Sequence, residues 1–299
     1  MAVAALLAGP ALGQQVLPRT PDGHPDFQGV WESRWRTPLQ RPDEAAGPTM
    51  SREAAEKLLG DLLKRDEDPS EIPTPSDSEY AFYMPAGPGL FRTSQIVEPE
   101  NGKLPLSENA KAMAAEWRRR LELADGPEAR MIQERCLGGP GRAPLPITPA
   151  NMFRRIVQTP DNVVILTEDM NEVRVIGIGA PRNPAAMTSF DGDSIAHWEG
   201  DTLVVETSNF AAPSSFRGLM LGPNSVVTER FTLTQPDEIS FEFGVTDKEL
   251  YTGPWRAQYV LRRSNSFMLE GTCHEGNYAL ANILSGARVT EQQAATAKR

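Results

Sequence analysis

From about residue 153 the chain alternates apolar and polar positions with a period of two, the spacing of a half-buried strand. The runs are "RRIVQT", "NVVILTE", "EVRVIGI", "SIAHWEG", "TLVVETSNF", "SVVTERFTLT", "EISFEFGVT", "RAQYVLRRS" and "FMLEGTC". "TPDN", "EGD" and "QPDE" supply tight connections between them. Too few helical patterns intervene for a parallel α/β sheet. Short, evenly spaced strands joined by turns predict an antiparallel sandwich or barrel. Closure removes exposed edges, and about eight closing strands can enclose a small ligand. The expected fold is therefore mainly β: an antiparallel lipocalin-like barrel or strongly curved sheet.

The first half reads differently. "FQGVW" is a short strand, and "TMSREAAEKLLGDLLKRDEDP" carries Ala54, Leu58, Leu59, Leu62 and Leu63 at helical spacing behind Ser51 as N-cap. Residues 69–90 are a Pro/Ser-rich loop holding "YAFYMP". "FRTSQIVEPENGKLP" predicts a strand and a turn, "SENAKAMAAEWRRRLELA" a second helix capped by Ser107, and "CLGGPGRAPLPITP" an irregular stretch. The expected organisation is a signal-peptide remnant over 1–13 and a helix-and-loop wrap over 14–150. A barrel-like core with a closing helix then covers 151–288, and 289–299 is a tail. Residues 14–288 are one folded unit.

Met1 to Leu12 is apolar and small, and "ALGQ" resembles a signal-peptidase site after Gly13, although the basic n-region is missing. An exported protein, periplasmic or secreted, is the expectation. No later apolar run approaches ~20 residues, so no membrane span is expected. The net charge of −10 sets the surface against phosphate backbones and makes nucleic acid a poor partner. Cys136 and Cys273 are the two cysteines. In an oxidising compartment they predict a disulfide, against the alternative of two buried thiols.

Several phrases together resemble a family of secreted bacterial proteins whose activity is largely uncharacterised. They are "PDGHPDFQGVW", "RTSQIVEPENGKLP", "ERCL", "RIVQTPDNVVIL", "NEVRVI", "HWEGDTLVVETSNF" and "CHEGNYALANILSGAR". The likeness spans nearly the whole mature chain. It implies a shared fold and supplies no mechanism. Members of that family often carry His where this chain has Asn171, which weakens any site built on three histidines.

Chemistry-bearing residues concentrate in Cys273–Tyr278. His197, His274 and Glu275 match no zinc spacing, so no metal is expected. No GxSxG elbow, Rossmann fingerprint or P-loop occurs, so no cofactor is expected. Cofactor-independent acid–base chemistry remains. Glu229 shares the face of Val227, Phe231 and Leu233 and is expected to point inward. Its carboxyl would then be raised by desolvation, as a general acid or base requires. Arg174 shares a face with Glu172 and Ile176. His274 shares a face with Glu270 and Thr272 on "FMLEGTCH".

The expected catalytic set is His274 as principal acid/base, Glu229 and His197 as further proton-handling groups, and Arg174 and Tyr278 as oxyanion or orienting groups. Tyr80, Tyr83, Trp198, Trp255 and Asn277 are the expected binding residues. Each has a plainer reading: a surface pair at Glu229 and Arg230, a structural salt bridge at Arg174, a packed corner at His197 and Trp198, a strand-to-helix transition at "HEGNY", or core aromatics. The leading function is a cofactor-independent lyase or isomerase acting on a small hydrophobic, aromatic, lignin-dimer-like molecule. A non-catalytic carrier of a hydrophobic ligand is the alternative, and a metal-dependent hydrolase the second.

Overall fold

The computed structural model describes residues 16–33, 35, 37–58, 83–139, 141–147, 153–211, 213–216 and 219–297. The expected signal remnant, Tyr80 and most of the 69–90 loop lie outside the described residues. The first half contributes β1 (Gly29–Glu32), β2 (Thr49–Ser51), β3 (Pro85–Gly87), β4 (Leu90–Arg92) and β5 (Ile96–Glu98). The second half adds β6 (Phe153–Gln158), β7 (Asn162–Thr167), β8 (Glu172–Ile178), β9 (Asp193–Glu199) and β10 (Thr202–Ser208). They are followed by β11 (Ser214–Phe216), β12 (Leu219–Leu221), β13 (Val226–Gln235), β14 (Glu238–Thr246) and β15 (Arg256–Ser264). The helices are α1 (residues 52–58), α2 (Glu108–Leu123) and α3 (Ala279–Ala297). Ser51 Oγ and Ser107 Oγ accept from the backbone N–H of Ala54 and Ala110, so both expected N-caps form.

Nine strands close a barrel in the order β1-β6-β7-β8-β9-β10-β13-β14-β15, because β1 pairs with both β6 and β15. β5 adds beside β15. The alternating burial of β13 and β14 matches the period-two pattern of their sequences. The turns "TPDN", "EGD" and "QPDE" join β6 to β7, β9 to β10 and β13 to β14.

Four expectations are corrected. The barrel is mixed, since β8 and β9 run parallel and pair only at Gly177↔Ile195 and Ile178↔Ala196. Residues 179–192 between them hold Pro181 and Pro184 and cross back without forming a strand. Second, the N-terminal half is more than a wrap: β1 is one of the barrel's staves. Third, "FMLEGTC" is not a strand, and its Phe267 is 89 % and Leu269 74 % exposed. Both edges of β15 are already taken, by β14 on one side and by β1 and β5 on the other, so this run finds no ladder. Fourth, α3 runs on to Ala297, so residues 289–297 are helix and not a tail.

The interior is filled with side chains, unlike a ligand-holding lipocalin lumen. Phe231 and Tyr259 each pack against Phe241 at 4.8 Å between ring centroids. Trp31, Ile165, Ile176 and Leu261 are fully buried beside them. The N-terminal segment lies over one end of the barrel. His24 stacks on Trp198 at 4.3 Å, Arg19 forms a two-pronged ion pair with Asp201, and Gln158 bonds the backbone of Phe27 and Pro25. At the other end the segment 141–147 enters as a plug, with Ala143 and Leu145 fully buried.

Candidate functional site

Where β8 and β9 splay apart, no backbone ladder holds them, and side chains take its place. Arg174 reaches from β8 to Ser194 of β9 with Nε at 3.2 Å, to Thr207 of β10 with Nη2 at 3.1 Å, and to Glu229 of β13 with Nη1 at 3.2 Å. Its Nη2 also bonds the second oxygen of Glu229. Ser194 and Thr207 bond one another at 2.8 Å. Glu229 is fully buried and accepts the backbone N–H of Leu145 at 3.1 Å. The Leu145 carbonyl accepts the Tyr259 hydroxyl at 2.9 Å, and that of Pro146 accepts Arg154 Nη2 at 2.6 Å. Burial pushes the Tyr259 phenol above its ordinary value, so it stays a donor. This polar layer satisfies the plug's backbone, which no sheet or helix does.

Outside the plug lies a second constellation. Glu172 opens β8, Asp191 stands two residues before β9, and Arg142 begins the plug. Glu172 accepts the backbone N–H of Gly139 at 3.1 Å and of Gly141 at 2.7 Å. Its carboxyl is nonetheless pushed up to about 6, first by burial and then by the charge of Asp191, against the pull of the two N–H groups. Arg142 is 7 % exposed, and among the described residues its Nε has no hydrogen-bond partner. Its guanidinium lies 5.6 Å from the centroid of the Phe210 ring. Burial pulls its pKa down while Asp191 and Glu172 hold it up. Among the described residues Asp191 Oδ1 is likewise buried without a hydrogen-bond partner, although its carboxyl also hydrogen-bonds with Glu172. The backbone approaches so closely here that a methyl group at Gly139 would sit 2.8 Å from Glu172 Oε2 and one at Gly138 2.9 Å from Asp191 Oδ1. A carboxyl that takes up a proton near neutral pH, beside a second carboxyl and a buried cation, is an acid–base arrangement.

The sign of the Glu172 effect gives a stability test. A carboxyl raised on folding makes the folded state bind the extra proton, so stability is lost as pH rises from about 4.5 through about 6. The loss amounts to about 2 kcal/mol above that window. Urea denaturation should show Glu172→Gln gaining about that much on wild type between pH 4 and pH 7.5. A constant difference across this range means that Glu172 titrates as an ordinary surface carboxyl.

The expected catalytic residues do not meet. Glu229 and Arg174 do pair, but inside the sealed polar layer. His274 and Tyr278 are exposed, Tyr278 by 75 %, on the segment between β15 and α3. His197 is exposed on the outer face of β9 and bonds Glu199 at 3.2 Å. Among the binding candidates, Tyr83 and Trp255 are buried in the core, Trp255 also lining a cleft on the barrel's outer face, and Trp198 stacks with His24 and Phe27. Asn277 braces the Cys136–Cys273 disulfide, its Nδ2 reaching Glu134 O at 2.9 Å and Cys136 Sγ at 3.3 Å. Among the described residues no three of His, Cys, Asp and Glu gather as a metal site would need. A cleft of about 210 Å³ on the barrel's outer face includes Arg230, Gly244 and Arg256, but both arginines are already paired, with Glu199 and with Glu98 and Glu242.

Comparison with models of known protein families and with curated proteins finds no match for this chain. The likeness to secreted bacterial proteins therefore rests on the motifs themselves. Several of those motifs touch in the fold. "PDGHPDF" packs on "HWEGD", and "ERCL" is tied to "CHEGN" by the disulfide. Sequence reasoning missed Asp191 and Arg142 and named Glu172 only as a neighbour of Arg174. The available signal was "LGGPGR": three glycines in four positions mark a backbone that passes close to other groups.

Proposed function

We propose that this chain is an exported, cofactor-independent lyase or isomerase. Its substrate is a small hydrophobic molecule bearing a carbonyl or carboxylate. The observation that supports the reading is the juxtaposition of Glu172, protonatable near neutral pH, with Asp191 and with the hydrogen-bond-deficient Arg142. Glu172 as carboxylate takes a proton from the carbon next to the carbonyl. Arg142 stabilises the oxyanion that develops. The protonated Glu172, its charge disfavoured by Asp191, returns the proton to the neighbouring carbon or to a leaving group. The proton-handling role thus falls to Glu172 in place of His274, His197 and Glu229.

The filled interior favours this reading over a carrier function, because a carrier needs a lumen. The disulfide supports an exported location, and among the described residues no helix is long and apolar enough to cross a membrane.

The test is mass spectrometry of reactions with aromatic dimers and small hydrophobic carbonyl compounds, without added cofactor. Wild type and His274→Ala should turn over the same substrate. Glu172→Gln should lose about 10²–10⁴-fold in rate. The wild-type rate should fall on the acid side below about pH 6. Full activity in Glu172→Gln would remove Glu172 from the chemistry. Saturable retention of a compound without turnover would make the protein a carrier.

A further inference from the structure

Arg154 lies on β6 inside the barrel and is 0 % exposed. Its Nη2 donates to the Pro146 carbonyl at 2.6 Å, while among the described residues Nε and Nη1 have no acceptor. The carboxylate of the polar layer, Glu229, is already engaged by Arg174 and by Leu145 N. Directly across the β6–β7 ladder from Arg154 stands Thr167, also 0 % exposed, and its hydroxyl too has no hydrogen-bond partner among the described residues. Opposed residues on one sheet face place their Cβ atoms about 5 Å apart. Among the described residues the polar layer thus brings the unused donors of Arg154 and Thr167 next to each other, with Glu229 already bonded to Arg174 and with Glu172 opposite Thr167 across the β7–β8 ladder.

A buried arginine keeps its charge, because its pKa is too high for it to shed the proton. Buried charge is tolerated when it is paired, and buried donors when they are bonded. We infer that Arg154 and Thr167 form an internal binding site for a small monovalent anion of chloride size. Arg154 Nε and Nη1 supply the charge, and the Thr167 hydroxyl donates a third hydrogen bond. The surrounding Trp31 and Tyr259 are fully buried, which favours a monatomic ion over a carboxylate metabolite or phosphate. The anion pairs the Arg154 guanidinium and holds β6, β7 and the plug together through Arg154. This inference is independent of the acid–base reading of Glu172.

The test is thermal unfolding of the whole chain after exchange into gluconate, with chloride returned at constant ionic strength. Wild type should gain about 3–6 °C as chloride rises a hundredfold through its binding range. Thr167→Val should need roughly tenfold more chloride for the same gain, the effect of one lost hydrogen bond of ~1.4 kcal/mol. Arg154→Met should melt at one temperature in either anion, whatever its absolute stability. Crystals grown in bromide should show an anomalous peak within hydrogen-bond reach of Arg154 Nε, a readout that needs no variant to fold. A wild-type melting temperature that ignores chloride, or an equal chloride response in Arg154→Met, overturns the site.

Discussion

Glu229→Leu is expected to destabilise the protein by about 3–5 kcal/mol, as is Arg174→Met, yet the double variant should cost far less than their sum. Each single change leaves the partner charge buried and unpaired: Glu229 is 0 % and Arg174 7 % exposed in side chain. Removing both charges takes away that penalty. What remains is the lost acceptor of Leu145 N and the lost donors to Thr207 and Ser194, at roughly 1–3 kcal/mol. A double-mutant cycle by urea denaturation should therefore give a coupling energy of several kcal/mol. The cycle also separates two roles for the pair. A layer that only supports the plug predicts that the double variant, once folded, keeps Glu172 near its raised pKa. Strictly additive single effects would mean that the two side chains do not share one buried site.

This pairing illustrates what the sequence could and could not say. Alternation placed Glu229 inside correctly, because a period of two on a long strand leaves one choice once Val227, Phe231 and Leu233 are buried. It could not say that Arg174 would neutralise it, because that contact crosses β9 and β10 and depends on two parallel strands failing to pair. The run "FMLEGTC" has the same alternation as the true strands, yet it pairs with none of them. Local pattern reports willingness to form a strand; the ladder available decides it. His274 was grouped on one strand face with Glu270 and Thr272 by extending that alternation, so its exposed position follows from the same cause. The carboxyl pair escaped notice because Arg142, Glu172 and Asp191 come from three separate segments. Two of those segments are irregular, where no period exists to read. The glycines of "LGGPGR" were visible, but their meaning depends on what the backbone approaches.

The second large effect concerns the disulfide. Cys136 and Cys273 are 137 residues apart, and a cross-link over so long a loop restricts the unfolded chain by about 4–5 kcal/mol in the loop-entropy model. The double variant Cys136→Ser/Cys273→Ser should lose that much in urea denaturation. Wild type in reductant should fall to the same value, and reductant should leave the variant unchanged. A local consequence follows from position. Cys136 stands three residues before Gly139, whose N–H, with that of Gly141, bonds Glu172. Cys273 anchors that loop from the C-terminal side, helped by Asn277. Freed from the cross-link, the loop should hold those two N–H groups on Glu172 less often. The Glu172 carboxyl then loses the bonds that restrain its pKa while keeping Asp191 as a neighbour, unless the loosened loop lets water in and lowers it. Side-chain NMR titration of Glu172 in oxidised and reduced protein distinguishes these outcomes. An upward move on reduction makes the disulfide the brace of the carboxyl pair, a downward move makes it the seal that keeps water out, and no movement confines its role to the stability of the chain.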